Sequence, residues 1–191
     1  MIKFPSKIFM LILILGSISC RKELEPDYKV VELDYGIDNY SKNIRDKSEE
    51  YIIIKQRNIV LIKVDIEGNT EIKKVQVSDK FIIDELKRYI IPHPENDKMP
   101  TTTKMEFKYS GKVDVNKNII VLGIFDKKLN YEKYCEIRNK VYIAFNEVRN
   151  DFSIRKFGKT LPDLIHATRK KDMAQWQEVK QNIPIRYKET V

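Results

Sequence analysis

A regular stripe of apolar residues in the second half of the chain constrains the fold most strongly. Between Asn130 and about Asn150 the apolar side chains recur at spacings of three and four residues. The stripe consists of Tyr134, Ile137, Val141, Phe145 and Val148. This is the period of an amphipathic helix, whose apolar face has to be buried against another element. The chain therefore needs a surface, most simply a β-sheet, on which its longest helix can pack.

Short runs of apolar or alternating residues predict such a sheet, and the first of them, 59–64, is rich in β-branched residues. The candidate strands are 59–64, 71–77, 104–109, 112–115, 118–125 and 183–189. The run 71–77 alternates apolar and polar residues, as a half-buried strand does. The run 118–125 is the most apolar, which predicts a central position in the sheet.

Two further helices are predicted. One begins at Ser78-Asp79 and ends before Pro92. Its apolar face is formed by Phe81, Ile82, Leu86, Tyr89 and Ile90. A more polar helix lies within residues 162–181. The order of elements indicates an α+β domain over residues 51–191, with a small mixed β-sheet and helices packed on one face.

The first 19 residues resemble a bacterial export signal. Lys3 and Lys7 precede an apolar stretch of 11 residues, Ile8 to Ile18, whereas a membrane-spanning helix needs about 20. The small residues before Cys20 resemble a lipobox, although Ser17 stands where that motif usually has leucine. This predicts cleavage before Cys20, acylation of its thiol and attachment to membrane lipid. The alternative is an uncleaved anchor formed by residues 1–19.

Residues 20–50 are predicted to form a charged, flexible tether. Fifteen of the thirty residues from Arg21 to Glu50 are charged, and the apolar residues among them show no sustained period. A segment of this composition can hardly bury a core. A short strand at Lys29–Leu33 stays open as an alternative.

Several functional classes are disfavoured by composition. No two of the six glycines stand two residues apart, and the sequence contains neither a dinucleotide-binding nor a Walker glycine motif. With His93, His166, Cys20 and Cys135 as the only histidines and cysteines, a tetrahedral zinc site is not expected. The net charge of +8 is spread along the chain and does not indicate nucleic-acid binding. We therefore expect no enzyme activity, no cofactor and no metal, and we expect Cys135 to be a buried structural residue.

The order of these elements resembles the ExbD/TolR biopolymer-transport family, in its longer variant with an extra C-terminal helix. The resemblance covers about 54–189. Its clearest part is the run from Tyr131 to Lys159, and weaker matches lie at 57–60, 96–100 and 183–186. The family-pattern residues are Asn139, Asn146, Glu147, Arg149, Phe157 and Gly158. These are packing and capping residues, so the order and spacing of the set carry the resemblance.

The resemblance implies a function at the bacterial cell envelope. Members of the family sit in the inner membrane with an ExbB- or TolQ-like proton channel and use the proton gradient to energise TonB or TolA. Their periplasmic domain forms a homodimer and receives a partner strand at the edge of its sheet. Their single membrane helix bears one aspartate, which carries the proton.

The chain departs from the family at this aspartate. No acidic residue precedes Glu23, so we expect this chain not to carry the proton itself. Two functions remain open. The chain is an accessory or divergent ExbD-like subunit, membrane-associated and facing the periplasm. Alternatively, it is a lipid-anchored periplasmic or outer-membrane binding module that kept the fold and changed partners.

Overall fold

A computed structural model describes residues 55–190 of the chain. The strands are β1 (Ile59–Val64), β2 (Thr70–Ile72), β3 (Val75–Val77), β4 (Thr103–Phe107), β5 (Gly111–Val115), β6 (Ile120–Phe125) and β7 (Tyr187–Thr190). Five of them form a mixed sheet in the order β3-β2-β1-β6-β7. Strands β1, β2 and β3 are antiparallel neighbours, whereas β6 runs parallel to both β1 and β7. The predicted export signal, Cys20 and the predicted tether lie outside the described residues.

The helices are α1 (Ile82–Ile90), α2 (Tyr131–Phe157), α3 (Leu161–Ile165) and α4 (Lys170–Asn182). The side chain of Asn130 accepts hydrogen bonds from the first backbone N–H groups of α2, as an N-cap should. Helix α2 ends at Gly158, whose φ of 66° is the left-handed conformation that favours glycine at this position. The helix is therefore longer than predicted and continues past Asn150 to Phe157.

The hydrophobic core lies between the helices and one face of the sheet, which we call the inner face. Strands β1 and β6 pair in register, and their alternate residues Val60, Val64, Val121 and Phe125 are buried on this face. The stripe of α2 meets them. Its five predicted members are Tyr134, which is half-buried, and Ile137, Val141, Phe145 and Val148, which are buried. The predicted α+β class and the burial of the α2 stripe are confirmed.

Several sequence-based expectations were wrong in detail. Phe81 belongs to a short 3-10 turn before α1, and 53% of it is exposed, so it is not part of the buried face. Strands β4 and β5 form a separate two-stranded hairpin instead of joining the main sheet. The polar helix expected within residues 162–181 is present as α4, whereas the short α3 before it was not predicted. The central position expected for the run 118–125 is confirmed, because β6 lies between β1 and β7.

A separate observation concerns the membrane. Within residues 55–190, no helix combines the length and the apolar character that crossing a bilayer requires.

Candidate docking edge of the sheet

The last strand, β7, forms one edge of the main sheet. It pairs with β6 in parallel register, from Val121 opposite Tyr187 to Ile124 opposite Thr190. Among the described residues, no strand pairs with its other side. The backbone N–H and C=O groups along the edge of a sheet are the groups to which an added strand binds.

A polar cluster on the inner face fixes β7 to α2. The Tyr134 hydroxyl donates a hydrogen bond of 2.9 Å to Oε2 of Glu189, and the Tyr187 hydroxyl donates one of 3.2 Å to the same oxygen. Arg138 Nε donates a bond of 3.0 Å to Oε1 of Glu189. Side chains of α2 and β7 thus bind both carboxylate oxygens of Glu189, which fixes the position of β7 against α2.

Burial and the nearby carboxylate change the titration of this cluster. Burial, reinforced by the hydrogen bond to Glu189, raises the pKa of Tyr134 to about 12. Burial, followed by the negative charge of Glu189 and the hydrogen bond to it, also raises the pKa of Tyr187. Both phenols are therefore protonated donors at neutral pH, which is the state that the carboxylate needs.

Gly123 on β6 makes room for this arrangement. A Cβ atom at this position would lie 2.8 Å from the ring of Phe125 and 2.9 Å from the hydroxyl of Tyr187. Tyr187 in turn packs edge-on against Tyr142 of α2, with ring centroids 5.7 Å apart. The glycine thus allows the large Tyr187 side chain to pack between strand and helix.

The opposite side of β7 carries cations. Arg186 directly precedes the strand and is half-buried, and Lys188 is exposed. Burial lowers the pKa of the Arg186 guanidinium. Within the described part of the chain, no carboxylate forms an ion pair with Arg186. A half-buried guanidinium of this kind favours an anionic partner.

The outer face of the sheet is apolar in its middle. The side chains that alternate with the core residues of β1 and β6 point to this face, and none belongs to the core. They are Ile59, Leu61, Ile120, Leu122 and Ile124. Ile124 is 38% exposed, and Lys63 is exposed beside it. Apolar side chains on an open sheet face are typical of surfaces that contact other molecules.

The second edge of the sheet is β3. This strand has three residues, and 57% of Val75 is exposed. The preceding turn places Lys73 and Lys74 at φ values of 47° and 71°, in the left-handed region. A short, strongly turned strand offers a smaller template than β7 does.

The family-pattern residues lie along α2 and its end, not in one site. Asn139 and Glu147 are half-buried, Asn146 and Arg149 are buried, and Phe157 stacks edge-on against Phe152. Arg149 Nε donates a hydrogen bond of 2.9 Å to the carbonyl of Ile183, while Glu147 pairs with Lys87 at 2.9 Å. Glu147 thus connects α2 to α1, and Arg149 connects it to the segment before β7.

The residues considered for catalysis or metal binding are scattered. His166 is exposed at the end of α3, and His93 lies 3.0 Å from the carbonyl of Arg88. Cys135 is partly buried, so it is less enclosed than expected. No three His, Cys, Asp or Glu side chains within residues 55–190 are grouped so as to hold a metal ion. A cleft of about 350 Å³ between α1 and α2, at Ile91 and Val148, is lined mainly by apolar side chains.

Sequence reasoning missed the cluster at β7. Tyr134 was identified only as a core residue of α2, and Glu189 only as the end of a candidate strand. The two are 55 residues apart, and nothing local in the sequence pairs them. The alternation of Ile185 and Tyr187 with Arg186 and Lys188 was the one available signal for an edge with two different sides.

Comparisons with known proteins found no relative of this chain. No family model, no curated protein and no solved structure matches the chain. The fold and the docking edge are therefore the observations on which a function has to be argued.

Proposed function

We propose that this chain is an accessory subunit of a TonB-type energy-transducing system at the bacterial envelope. In this proposal it is held to the membrane by its N-terminus, acts as a homodimer and docks an ExbB/TolQ-like channel and a TonB/TolA-like protein. Two facts support it: the order of family-like residues from Tyr131 to Lys159, and a mixed sheet with helices alongside. The observation that carries it is the position of β7 at an edge of the described sheet, bonded to α2 through Glu189, since an edge strand is where a partner strand adds to a sheet.

The sequence limits the role that the chain can play. Its membrane-proximal segment has no carboxylate before Glu23, and proton transfer within a membrane needs an ionisable side chain there. The chain therefore docks proteins but does not complete a proton path. Binding at the edge of a sheet needs no catalytic group, since main-chain hydrogen bonds supply affinity and alternate side chains supply specificity.

Complementation tests this division of roles. The full chain is expressed in a strain that lacks its own ExbD, and uptake of a TonB-dependent siderophore is measured. We expect no uptake with the native chain. We expect partial uptake when an ExbD membrane helix that carries the aspartate is grafted in front of Tyr51. If the native chain restores uptake and an uncoupler abolishes it, the native chain takes part in proton transfer, contrary to this proposal.

A second outcome would contradict the docking role itself. If the grafted chain is produced at normal levels and still restores nothing, the domain does not serve this system. The remaining reading is then the lipid-anchored binding module with other partners.

A further inference from the structure

Folding gathers exposed cations where α2 ends and α4 begins. Helix α2 ends at Phe157, and α4 begins at Lys170. Lys159 joins these two helix ends, since its Nζ lies 2.5 Å from Oδ1 of Asp172 in the first turn of α4. The cations of this region, which we call the basic end, are Arg155, Lys156, Lys159, Arg169, Lys170 and Lys171.

Few carboxylates neutralise the basic end. Residues 151–173 contain six cations and three carboxylates. Asp172 is bound to Lys159. Asp163 belongs to the capping box of α3, and the third carboxylate, Asp151, lies exposed on α2. Apart from Lys159, no cation of the basic end forms an ion pair within the described part of the chain. The basic end therefore keeps an excess of positive charge, which a partner of negative charge can neutralise.

Helix stability does not account for the three cations at the start of α4. Arg169 occupies the N-cap position, where its side chain makes no cap hydrogen bond, and Lys170 and Lys171 follow in the first turn. The partial positive charge of a helix N-terminus is stabilised by carboxylates and destabilised by cations. These three residues therefore lower the stability of the unbound chain, and contact with an anionic surface would offset that loss.

Exposed apolar side chains accompany the cations. Ile154, directly before Arg155, is 47% exposed, and Met173, two residues after Lys171, is 51% exposed. Cations beside exposed apolar side chains are typical of protein surfaces that contact a phospholipid bilayer, because the headgroups attract the cations while the apolar side chains enter the interface. This combination favours a bilayer over a partner that offers negative charge alone.

We propose that the basic end docks on anionic phospholipid headgroups of the membrane to which the N-terminus is predicted to attach. The exposed lysines and arginines bind headgroup phosphates, and Ile154 and Met173 contact the interface. The beginning of α2, which is bonded to β7 through Tyr134 and Glu189, lies at the other end of this 27-residue helix, about 40 Å away. The bilayer contact therefore does not involve β7.

The chain between the predicted attachment and the domain is long enough for this contact. Thirty-four residues, 21–54, lie between Cys20 and Lys55, and they can span roughly 110 Å at most. The basic end can therefore reach the bilayer in any orientation of the domain. Attachment also raises the effective concentration of the bilayer at the basic end. A modest contact then suffices, and each cation near an anionic bilayer strengthens binding about fivefold.

Energy transfer from a natural fluorophore tests the contact. Trp176, the only tryptophan of the chain, lies in α4 three residues after Met173. The full chain is reconstituted into phosphatidylcholine vesicles that contain a dansyl-labelled lipid, with or without phosphatidylglycerol. We expect phosphatidylglycerol to increase transfer from Trp176 to the dansyl headgroups, and high salt to abolish the increase. Equal transfer in the two kinds of vesicle would overturn the proposal and would indicate an acidic protein as the partner of the basic end.

Two matched charge reversals show whether the contact belongs to the basic end. Lys170→Glu combined with Lys171→Glu is expected to lower the ratio of docked to undocked chain by about tenfold or more. The control is Lys127→Glu combined with Lys128→Glu, an exposed lysine pair just before the beginning of α2. It changes the net charge equally at the opposite end of the helix and should leave transfer nearly unchanged. Equal effects of the two variants would indicate a response to net charge alone and would contradict the proposal.

A loss of folding cannot imitate the expected result. Carboxylates in the first turn of a helix are stabilising, so the variant at Lys170 and Lys171 should unfold at the same temperature as the native chain or a higher one. Reduced transfer with unchanged or raised stability supports the contact, whereas unchanged transfer overturns it. No channel protein takes part in this measurement, so its result is independent of whether the chain serves a TonB-type system.

Discussion

The Tyr134 hydroxyl lies 2.9 Å from Oε2 of Glu189 and donates a hydrogen bond to it. This bond joins the beginning of α2 to the last strand of the sheet, across 55 residues of sequence. Arg138, one turn further along α2, holds the other carboxylate oxygen at 3.0 Å. Because β7 has one neighbouring strand among the described residues, these contacts help to fix its register at the edge.

Removing the Tyr134 hydroxyl should alter stability at alkaline pH. Burial and the bond to Glu189 raise the pKa of Tyr134 from its ordinary value of 10.0 to about 12. The folded chain therefore holds the Tyr134 proton more tightly than the unfolded chain does. The stabilisation that this proton provides is present below pH 10 and is lost as the pH rises toward 12.

The measurement is the free energy of unfolding by denaturant across this pH range. Tyr134→Phe should be less stable than the native chain at pH 8 and should lose less stability from pH 10 to 12. The control is Tyr131→Phe, since 77% of Tyr131 is exposed. Identical pH profiles for Tyr134→Phe and the native chain would mean that the bond does not form in solution.

Phe145→Ala should be strongly destabilising. Phe145 lies in the middle of the α2 stripe and is fully buried, and removal of a core phenylalanine side chain costs about 3–5 kcal/mol. The matched control is Ile154→Ala on the same helix, where 47% of the side chain is exposed and a loss below about 1 kcal/mol is expected. Thermal and denaturant unfolding of both variants measures these losses in the free energy of unfolding. Similar losses at the two positions would show that α2 is not packed as described.

The α2 stripe shows which features the sequence could predict. Its spacing of three and four residues follows directly from helical geometry, so the helix and its buried face could be identified without knowing what covers them. The helix end beyond Asn150 was missed because the apolar stripe ends at Val148, whereas the backbone continues to Gly158. Phe81 was assigned to the buried face by its spacing alone, although the chain there forms a 3-10 turn.

Gly123→Ala should loosen β7. The added methyl group would lie 2.8 Å from the Phe125 ring and 2.9 Å from the Tyr187 hydroxyl, so Tyr187 has to move. We expect a loss of about 1–3 kcal/mol in the free energy of unfolding, as for other overpacked cores. Combining it with Tyr187→Phe should relieve part of the loss, because one of the two close contacts disappears. Strictly additive losses in this double-mutant cycle would argue against the contact.

Lys74→Gly should stabilise the chain. Lys74 is exposed and has a φ of 71° in the turn between β2 and β3, a conformation that costs a non-glycine residue about 1 kcal/mol. Glycine adopts it without this cost, so we expect a gain of roughly that size. Lys63→Gly, in the extended backbone of β1, is the matched control and should lower stability. A loss at position 74 would show that the lysine side chain contributes more than its backbone strain costs.

The docking edge marks the limit of what the sequence could predict. Pairing between strands depends on contacts that are distant in sequence, so nothing local indicated that β4 and β5 form their own hairpin or that β7 lies beside β6. The Tyr134–Glu189 bond has the same origin. Alternating apolar and cationic residues at 185–188 could be read from the sequence, but their position at a free edge could not.

Affinity purification of the whole chain tests most directly whether it docks an energy-transducing channel, as proposed. A C-terminal tag is introduced after Val191, membranes of the native bacterium are solubilised in mild detergent, and the purified complex is identified by mass spectrometry. We predict an ExbB/TolQ-like channel protein in a fixed ratio to the chain, reduced by Gly123→Ala because that change displaces β7. Recovery of the intact, folded chain without any such channel would contradict the proposed function.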